Sequence, residues 1–560
     1  MTSKIRCFAL GGLDENGKNL FVVEIDNDIY VLDCGIKYPT KHVPGVDFII
    51  PNFDYLKEHK KNIKAYIITH AHDDKMLALP YIYQECPAKV VTTRFTARML
   101  DFAAKGLGLN VKFDFDYVEG NCSKVIGLHK INFCQVTHSM PFSFGLSINT
   151  DQGQIVYTSD YILDWSISDP NFRMDTNALL AHSRDNVLLV LSDSNNANIP
   201  GHNSPNYRIT NKISKYFEDQ EGRVYISLYS QNYMNIIEVL KLCAKLNKTV
   251  VFSKKHDEIQ VMGLVNEFNL LEGAKVKIEQ IDNIHRVQRS NTIIIVMNTG
   301  EHLFKEICTI TSGTMDSKPI SFEEQDLFIF ACPSVHATDI IATKALDEIY
   351  KTGMKVLQFT RKDIYSPHAC EEDIKAMISI FQPKYYMPIY GDFKKLLTNG
   401  KIAISLKKYN YSNVFVLDNG MILNIENGVA KMDYSNKITV GDVFIDGLDV
   451  GNIGNNVIEE RNKISNDGVV VMGITVSSKK QEIIGKPDVQ MRGFVFLKES
   501  ENVLKEITNI FLDQVRIYLT GYYDEATPVE DKIIERCTRF VRRETGKSPV
   551  IIPKIIDIDK

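Results

Sequence analysis

The run THAHDDK, residues 69–75, decides how this chain is read. It closes the apolar stretch AYIIT (65–69), so its histidines and aspartates lie beyond the end of a buried strand, where a sheet presents chemistry rather than packing. His70, His72 and Asp74 occupy alternating positions. Imidazole nitrogens and carboxylate oxygens bind zinc at ~2.0–2.2 Å, so a loop of closely spaced N and O donors wraps one face of an ion. Lys75 ends the run, and an ammonium group does not ligate while it keeps its proton.

Three other strand ends carry matching residues: Asp33 in VLDCG, His138 in VTHSMP and Asp160 in YTSDY. A lone histidine or aspartate is ordinarily structural, but four strand ends furnished this way point to one shared metal site. The strands behind them are FVVEI (21–25), IYVLD (29–33), AYIIT, KVVTT (89–93), QIVYTSD (154–160) and VLLVLSD (187–193), and their alternation with helical stretches predicts an α/β sandwich. From about 206 a second cycle begins with RVYISLYS (223–230), a helix near 231–246, TVVFS (249–253), a helix near 257–270 and TIIIVMN (292–298), the pattern of βαβ units in a parallel sheet. KVLQFT (355–360), a helix near 371–381 and KYYMPIY (384–390) follow. The Gly-, Asn- and Asp-rich stretch 442–467 reads as an irregular linker. The remainder, 468–560, holds the strands GVVVMGITV and GFVFL and two helices. In 532–543 the residues Ile533, Cys537, Phe540 and Val541 share one helical face, and Lys532, Arg536, Arg539 and Arg543 another.

At 560 residues the chain exceeds a single core, and 44% hydrophobic with 24% charged residues excludes disorder. No window approaches ~18 uninterrupted apolar residues, and no signal segment is evident at the start, so a cytoplasmic protein without a membrane span is expected. The ten cysteines form no CxxC pair, which argues for reduced, structural thiols. A formal charge of −5 confines any nucleic-acid binding to a local patch or groove.

Eight segments together resemble one family. FALGGLDENGKN (8–19), VLDCGIKYP (31–39), ITHAHDD (68–74) with ALPYI (78–82), THSMPFSFGL (137–146), TSDYILD (158–164), LSDSNNAN (191–198), PKYYMPIYGDF (383–393) and GKPDVQMRGFVF (485–496) match, in order, the ribonuclease J family of the β-CASP branch of the metallo-β-lactamase superfamily. The resemblance implies an α/β fold: a metallo-β-lactamase αββα sandwich (1–205 and 356–441), an inserted parallel-sheet β-CASP domain (206–355), the linker 442–467 and a small α+β C-terminal oligomerisation domain (468–560). It also implies an RNA nuclease, endonucleolytic and 5′-to-3′ exonucleolytic, with two zinc ions.

By that resemblance His70, His72 and His138 hold one ion and Asp160 bridges to a second, which takes Asp74 and two further histidines. Those two positions are Lys75 and Tyr390 here. Asp33, Asp74 and His368 are the implied catalytic or orienting groups, and Ser230, Ser366 and His368 the implied RNA phosphate contacts. The family's S-N-x-H-R segment is Ser230-Gln231-Asn232-Tyr233-Met234, its H-x-S-G-H motif is Ile364-Tyr365-Ser366-Pro367-His368, and its S-Q-G-E-P segment is not recognisable near Thr299-Gly300-Glu301. A Lys75 ammonium beside Asp74 and Asp160 would stand in for the second zinc, leaving one ion at most per chain. Some bacteria carry a strong and a weak paralogue that assemble, and this chain resembles the weak one, with RNA, a catalytic paralogue and itself (dimer or tetramer) as implied partners. Two other readings stay open: an active zinc-dependent 5′–3′ exoribonuclease and endoribonuclease, and a hydrolase of a small ester. The basic stripe of 532–543 is either a solvated face or an RNA contact, and Arg492 is expected to fix domain structure.

Overall fold

The computed structural model describes residues 2–39, 45–312, 321–335, 338–447, 449–450, 455–493, 500–521 and 528–559. The chain forms two compact units, one of Met1–Thr40 with Phe48–Val443 and one of Lys41–Asp47 with Phe444–Lys560.

Two sheets face each other in the first unit. One has eight strands, in the order Val429–Lys437, Met421–Glu426, Ile5–Gly11, Leu20–Ile25, Asp28–Leu32, Ile63–Ile67, Lys89–Thr92 and Phe115–Tyr117. The other has six: Tyr385–Ile389, Val187–Asp193, Gly153–Tyr157, Phe144–Thr150, His129–Gln135 and Cys122–Ile126. Phe21, Leu32 and Ile67 of the first interdigitate with Phe133, Leu146, Leu189 and Met387 of the second in one continuous core. Behind the six-stranded sheet, Ile374, Met377 and Ile378 of the helix Glu371–Phe381 and Ile402 of the helix Phe393–Ser405 cover Val156, Val190 and Tyr386. This is the αββα layering expected from the sequence. Asp28–Leu32 and Ile63–Ile67 run parallel, as do Gly153–Tyr157, Val187–Asp193 and Tyr385–Ile389. Within each sheet their C-terminal ends therefore emerge on one side, followed by Asp33, Thr158, Ser194 and Tyr390 and, past Ile68, by Thr69 and His70.

A third sheet is parallel throughout, in the order Lys277–Ile278, Thr249–Phe252, Thr292–Asn298, Val224–Tyr229, Leu327–Phe330 and Lys355–Gln358. Helices on its faces explain why TIIIVMN is an unbroken apolar run rather than an alternating one. Lys355–Gln358 pairs with Leu327–Phe330, so the boundary expected between residues 355 and 356 falls inside a strand of this sheet.

In the second unit the strands Glu482–Arg492, Val469–Ser477 and Val550–Asp557 form a small sheet, with Val469–Ser477 central. The helices Ser500–Leu519 and Val529–Thr545 cover one face of it, where Val470, Met472, Ile474 and Val476 meet Phe511, Val515, Ile533, Cys537 and Val541. The strand expected at GFVFL lies, for 494–497, outside the described residues. The stretch 442–467 is not irregular: it carries the strand Asp442–Asp446 and the helix Asn455–Asp467. Five polar residues among the first seven of that helix masked its pattern. Arg539 pairs with Glu535 and Arg543 with Glu544, which makes much of the basic stripe a charge-balanced, solvated face. Arg492 is exposed and donates to its neighbour Met491 O at 3.4 Å, a contact too local to fix the domain as expected. Among the described residues no helix is long and apolar enough to cross a membrane.

Candidate metal centre

Four strand ends build the centre. After Ile63–Ile67 the chain passes through Thr69 and His70 into the short helix Asp73–Met76, whose N-terminal flank is His72. The backbone of this loop lies against Gly35, where a Cβ would fall 1.6 Å from Asp74 O, so no side chain is tolerated there. His138 follows His129–Gln135, and Asp160 follows Gly153–Tyr157 through Ser159, which is turned into the left-handed region at φ 58°.

His70, His72, His138 and Asp160 converge, with one donor atom of each lying within 4.8 Å of all the others. His72 Nδ1 lies 3.1 Å from His70 Nε2 and 3.3 Å from His138 Nε2, while Asp160 Oδ2 lies 3.5 Å and 3.8 Å from those two Nε2 atoms. The outer nitrogens are occupied by oxygen: His70 Nδ1 by Thr69 Oγ1 at 3.0 Å, His72 Nε2 by Gln231 O at 3.0 Å, and His138 Nδ1 by Pro367 O at 2.9 Å. Carbonyl oxygens only accept, so the outer nitrogens of His72 and His138 carry the protons and their inner nitrogens face one another as lone pairs. Three convergent lone pairs repel unless a cation lies among them. Burial reinforces this by disfavouring the charged ring: it holds His70 down at about 4, lowers His72, and lowers His138 well below the usual range. Asp160 Oδ2 is buried with no hydrogen-bond partner among the described residues. A tetrahedral ion with ligands at ~2.0–2.2 Å separates its donors by ~3.3–3.6 Å, and this donor set fits a divalent ion.

Asp160 is shared. Its other oxygen, Oδ1, accepts from Lys75 Nζ at 3.1 Å, and the Lys75 side chain is fully enclosed. The ammonium sits 3.2 Å from the centroid of the Tyr390 ring and 3.8 Å from Asp74 Oδ2. Burial works against both charges, but Asp160, Asp74, Asp33 and Asp193 together raise Lys75 above its ordinary value, and Lys75 with His368 and His70 holds Asp160 well below the carboxylate range. Lysine and aspartate thus form a buried, charged pair. Asp74, expected as a ligand of the second ion and not of the first, lies outside the converging cluster and on the Lys75 side. Its carboxylate accepts from Asn19 Nδ2 at 2.8 Å and leans toward the lysine.

Asp33, at φ 59°, lies beneath the tripod rather than in it. Its Oδ1 accepts from Thr69 N and Thr69 Oγ1, both at 2.9 Å, and its Oδ2 from Tyr157 Oη at 2.8 Å and Tyr390 Oη at 3.3 Å. Burial lifts this carboxyl to about 6. The hydroxyl of Thr69 links it to His70, so Asp33 orients that ring. Burial above all, with Tyr157, Asp33 and Asp160 beside it, pushes the Tyr390 phenol well above the usual range and bars it from ligating as a phenolate, and its hydroxyl also donates to Tyr157.

Beside Asp160, His368 Nδ1 bonds Asp193 Oδ2 at 2.9 Å and lies 3.9 Å from Asp160 Oδ1. Although burial opposes its charge, Asp193 and Asp160 raise it above the ordinary histidine value. Ser366 is held by Asn196, its hydroxyl donating to Asn196 Oδ1 at 3.2 Å, and Ser230 N donates to Asn298 O at 3.0 Å. Tyr233, where the family motif has histidine, is core, edge-on to Phe95 at 5.3 Å. Sequence reasoning missed Asp193 although it ends the strand Val187–Asp193 inside a quoted motif. It also missed Tyr157, for which no sequence signal exists.

Comparison with known proteins agrees with this architecture. The family model described as the ribonuclease J C-terminal domain matches residues 456–558. Ribonuclease J 2 of Staphylococcus aureus strain MRSA252 is 27% identical over 556 residues, covering 99% of this chain and 98% of that protein, and ribonuclease J 2 of Staphylococcus saprophyticus strain ATCC 15305 matches to the same extent. A crystal structure of a protein of unknown function from Enterococcus faecalis V583 shares the fold, with a TM-score of 0.52 over 75% of this chain and all of that one at 14% identity. The chain is thus similar end to end to ribonuclease J 2 proteins and matches, at residues 456–558, the ribonuclease J C-terminal domain.

Proposed function

We propose that this chain is the slow or non-catalytic member of a ribonuclease J pair. It acts in RNA processing and decay in the cytoplasm, binds RNA and an active paralogue, and holds at most one zinc ion. Residues 1–205 with most of 356–441 serve as the catalytic scaffold, the inserted parallel sheet as the RNA-facing β-CASP domain, and the C-terminal unit as an oligomerisation module. The observation that carries the reading is Lys75, whose enclosed ammonium lies between Asp160 Oδ1, Asp74 and the Tyr390 ring. In the family pattern a second ion shares Asp160 there, and a charge of +1 with no open coordination position cannot activate water.

A zinc ion held by His70, His72, His138 and Asp160 would lower the pKa of a coordinated water toward ~7 and so supply a nucleophile for phosphodiester hydrolysis. The chain's own groups do the rest. Asp33 and Thr69 fix the His70 ring, Lys75 keeps Asp160 ionised with Oδ2 toward the tripod, and Tyr390 holds the ammonium on its ring face. His368, protonated and anchored through Nδ1 by Asp193, leaves Nε2 to pair with a phosphate oxygen or to give a proton to a leaving oxygen.

Metal analysis and hydrolysis of 5′-monophosphorylated RNA test this together. Wild-type protein is expected to carry one zinc or less and to turn over slowly, and the Lys75→His, Tyr390→His double variant to gain a second equivalent and faster hydrolysis. Two equivalents with rapid turnover in the wild type would refute it. The intact Asp193–His368 pair favours one alternative, an active zinc-dependent 5′–3′ exoribonuclease and endoribonuclease. Loss of a measurable wild-type activity on His72→Ala would support that reading.

A further inference from the structure

The helix Phe393–Ser405 starts beside the metal centre and leaves a basic face in solvent. It follows Tyr390 and Gly391 directly, and Gly391 bridges to Glu15. Leu396, Asn399, Ile402 and Ala403 turn inward, and Asn399 donates to Asp193 O at 3.0 Å and accepts from Tyr386 Oη at 2.7 Å, which ties the helix to the strand that carries Asp193. The outer face shows Lys394, Thr398, Lys401 and Ser405, spaced by four, three and four residues and so stacked in one stripe. Lys407 and Lys408 are exposed just past its end. Residues 393–417 hold five lysines and no acidic residue, in a chain whose formal charge is −5. Among the described residues none of the five pairs with a carboxylate, whereas Lys375 on the neighbouring helix Glu371–Phe381 pairs with both Glu371 and Glu372 at 2.7 Å. The carboxylates at the start of the helix are taken by backbone: Asp392 accepts from Lys395 N and Asp14 from Phe393 N. Lys394 and Lys395 lie in the first turn, where the helix dipole opposes cations, so their placement does nothing for the helix itself.

We propose that this face is a second RNA contact, which holds the phosphates of a strand engaged at the metal centre as that strand runs on along the helix. Lys394 and Lys401 stand ~10 Å apart on an axis ~20 Å long, a length that several consecutive phosphates span. A row of lysines without carboxylates selects a polyanion, and the aromatic residues at its two ends select a nucleic acid. Phe393 at one end and Tyr411 beyond the other are 46% and 82% exposed, so bases have rings to stack on while the lysines take phosphates. An acidic protein segment would use the lysines and not the rings. An anionic membrane is also the poorer occupant, because a helix that lies on lipid sinks an apolar face into it, and here Ile402 and Ala403 spend that face on the core. None of Lys394, Lys401, Lys407 and Lys408 belongs to a segment that carries the family resemblance, so the contact is not implied by it.

The contact rests on the RNA binding proposed above, and the test separates the two. Fluorescence anisotropy of a labelled, unstructured single-stranded RNA with the full chain, in zinc and in EDTA and over a salt series, reads affinity and its salt slope. The proteins compared are the wild type, the triple variant Lys394→Gln, Lys401→Gln, Lys407→Gln, the matching triple arginine variant, and Tyr411→Ala. Three lost phosphate contacts at ~0.7 each should lower the salt slope by about two, and affinity at low salt should fall at least tenfold with zinc content and thermal melt unchanged. The arginine variant should stay within about threefold of the wild type, and Tyr411→Ala should bind at least about threefold more weakly. A glutamine variant with wild-type affinity and slope would overturn the surface and leave RNA binding standing, and a wild type that binds no RNA in either condition would overturn both. Should the glutamine variant lose polyglutamate or phosphatidylglycerol vesicles but not RNA, the face belongs to an acidic protein or a membrane, and the proposal falls.

Discussion

Replacing Lys75 by Met, a chain of similar length without the charge, tests the centre most directly. The Nζ–Oδ1 separation is 3.1 Å with both partners enclosed. At an effective dielectric of ~20 the attraction at that distance is about 5 kcal/mol, and removing one partner of a buried pair typically costs ~3–5 kcal/mol because the other charge is stranded. Some of the loss is recovered if Asp160 takes up a proton. The expected net is therefore about 3 kcal/mol in chelator-treated protein. Over a unit of roughly 440 residues, at ~2.1 cal/mol/K of unfolding entropy per residue, that loss lowers the melting temperature by about 3 °C. Added zinc should shrink the deficit, because a divalent charge beside Asp160 replaces the missing ammonium. Differential scanning calorimetry in EDTA and in zinc measures both. A Lys75→Met protein that melts within about 0.5 °C of the wild type in EDTA would show that the lysine is a passive filler and that the electrostatic account of the site is wrong.

Acid should destabilise the metal-free protein across the histidine range. His70, held at about 4, and His72 and His138, also lowered, bind protons less readily folded than unfolded, so their contribution is full above pH ~6.5 and is lost as pH falls. Asp33, raised to about 6, works oppositely between pH ~4 and 6, but three rings outweigh one carboxyl, and urea midpoints at pH 7.0, 6.0 and 5.0 should fall in that order. Tyr157→Phe removes the 2.8 Å bond to buried Asp33 and should cost ~1.5–3 kcal/mol with zinc content preserved, whereas loss of zinc would mean that Tyr157 shapes the tripod itself. Lys75→Met and Tyr390→Leu should be non-additive by about 1–2 kcal/mol in a double-mutant cycle, since the 3.2 Å cation–ring contact exists only when both are present, and strict additivity of the two melts would rule that contact out.

The layers and the tripod were legible because each rests on a local pattern. Asp33, Asp160 and the His70–His72 loop follow apolar runs that become parallel-paired strands of two facing sheets, and such pairing gathers strand ends without further information, while His138 joins them from an antiparallel strand. The hold of Asn19 on Asp74 was not legible, because the two are 55 residues apart and no spacing rule connects them. Tyr157, which was not singled out, and Tyr390, expected at a lost metal position, are core aromatics whose hydroxyls meet at Asp33 only after two sheets stack. The antiparallel strands His129–Gln135 and Phe144–Thr150 went unnamed beside the stronger parallel runs. The helix Asn455–Asp467 was hidden by its polarity, since helical periodicity needs an apolar face to be seen.

Lys75 and Tyr390 are better understood as one change than as two losses. Asp33, Asp74, Asp160 and Asp193 all act on the same buried point, each pulling the lysine toward its charged form. A pocket of that charge without a cation would have to protonate or come apart, so simple deletion of the second ion's histidines is not a stable outcome. An ammonium at Lys75 supplies the missing charge from within the chain. Its side chain then needs a wall that tolerates a cation at close range without competing for its protons. A ring face does so, and Tyr390, at φ 65° under the ammonium, presents that face inward while its hydroxyl ties down Asp33 and Tyr157. A histidine retained at 390 would bring an imidazole against a permanent positive charge, which lowers its basicity and offers no comparable ring potential. On the proposed reading the pair keeps a positive charge where the family pattern has its second ion and offers no coordination position at Lys75, while His70, His72, His138 and Asp160 still converge.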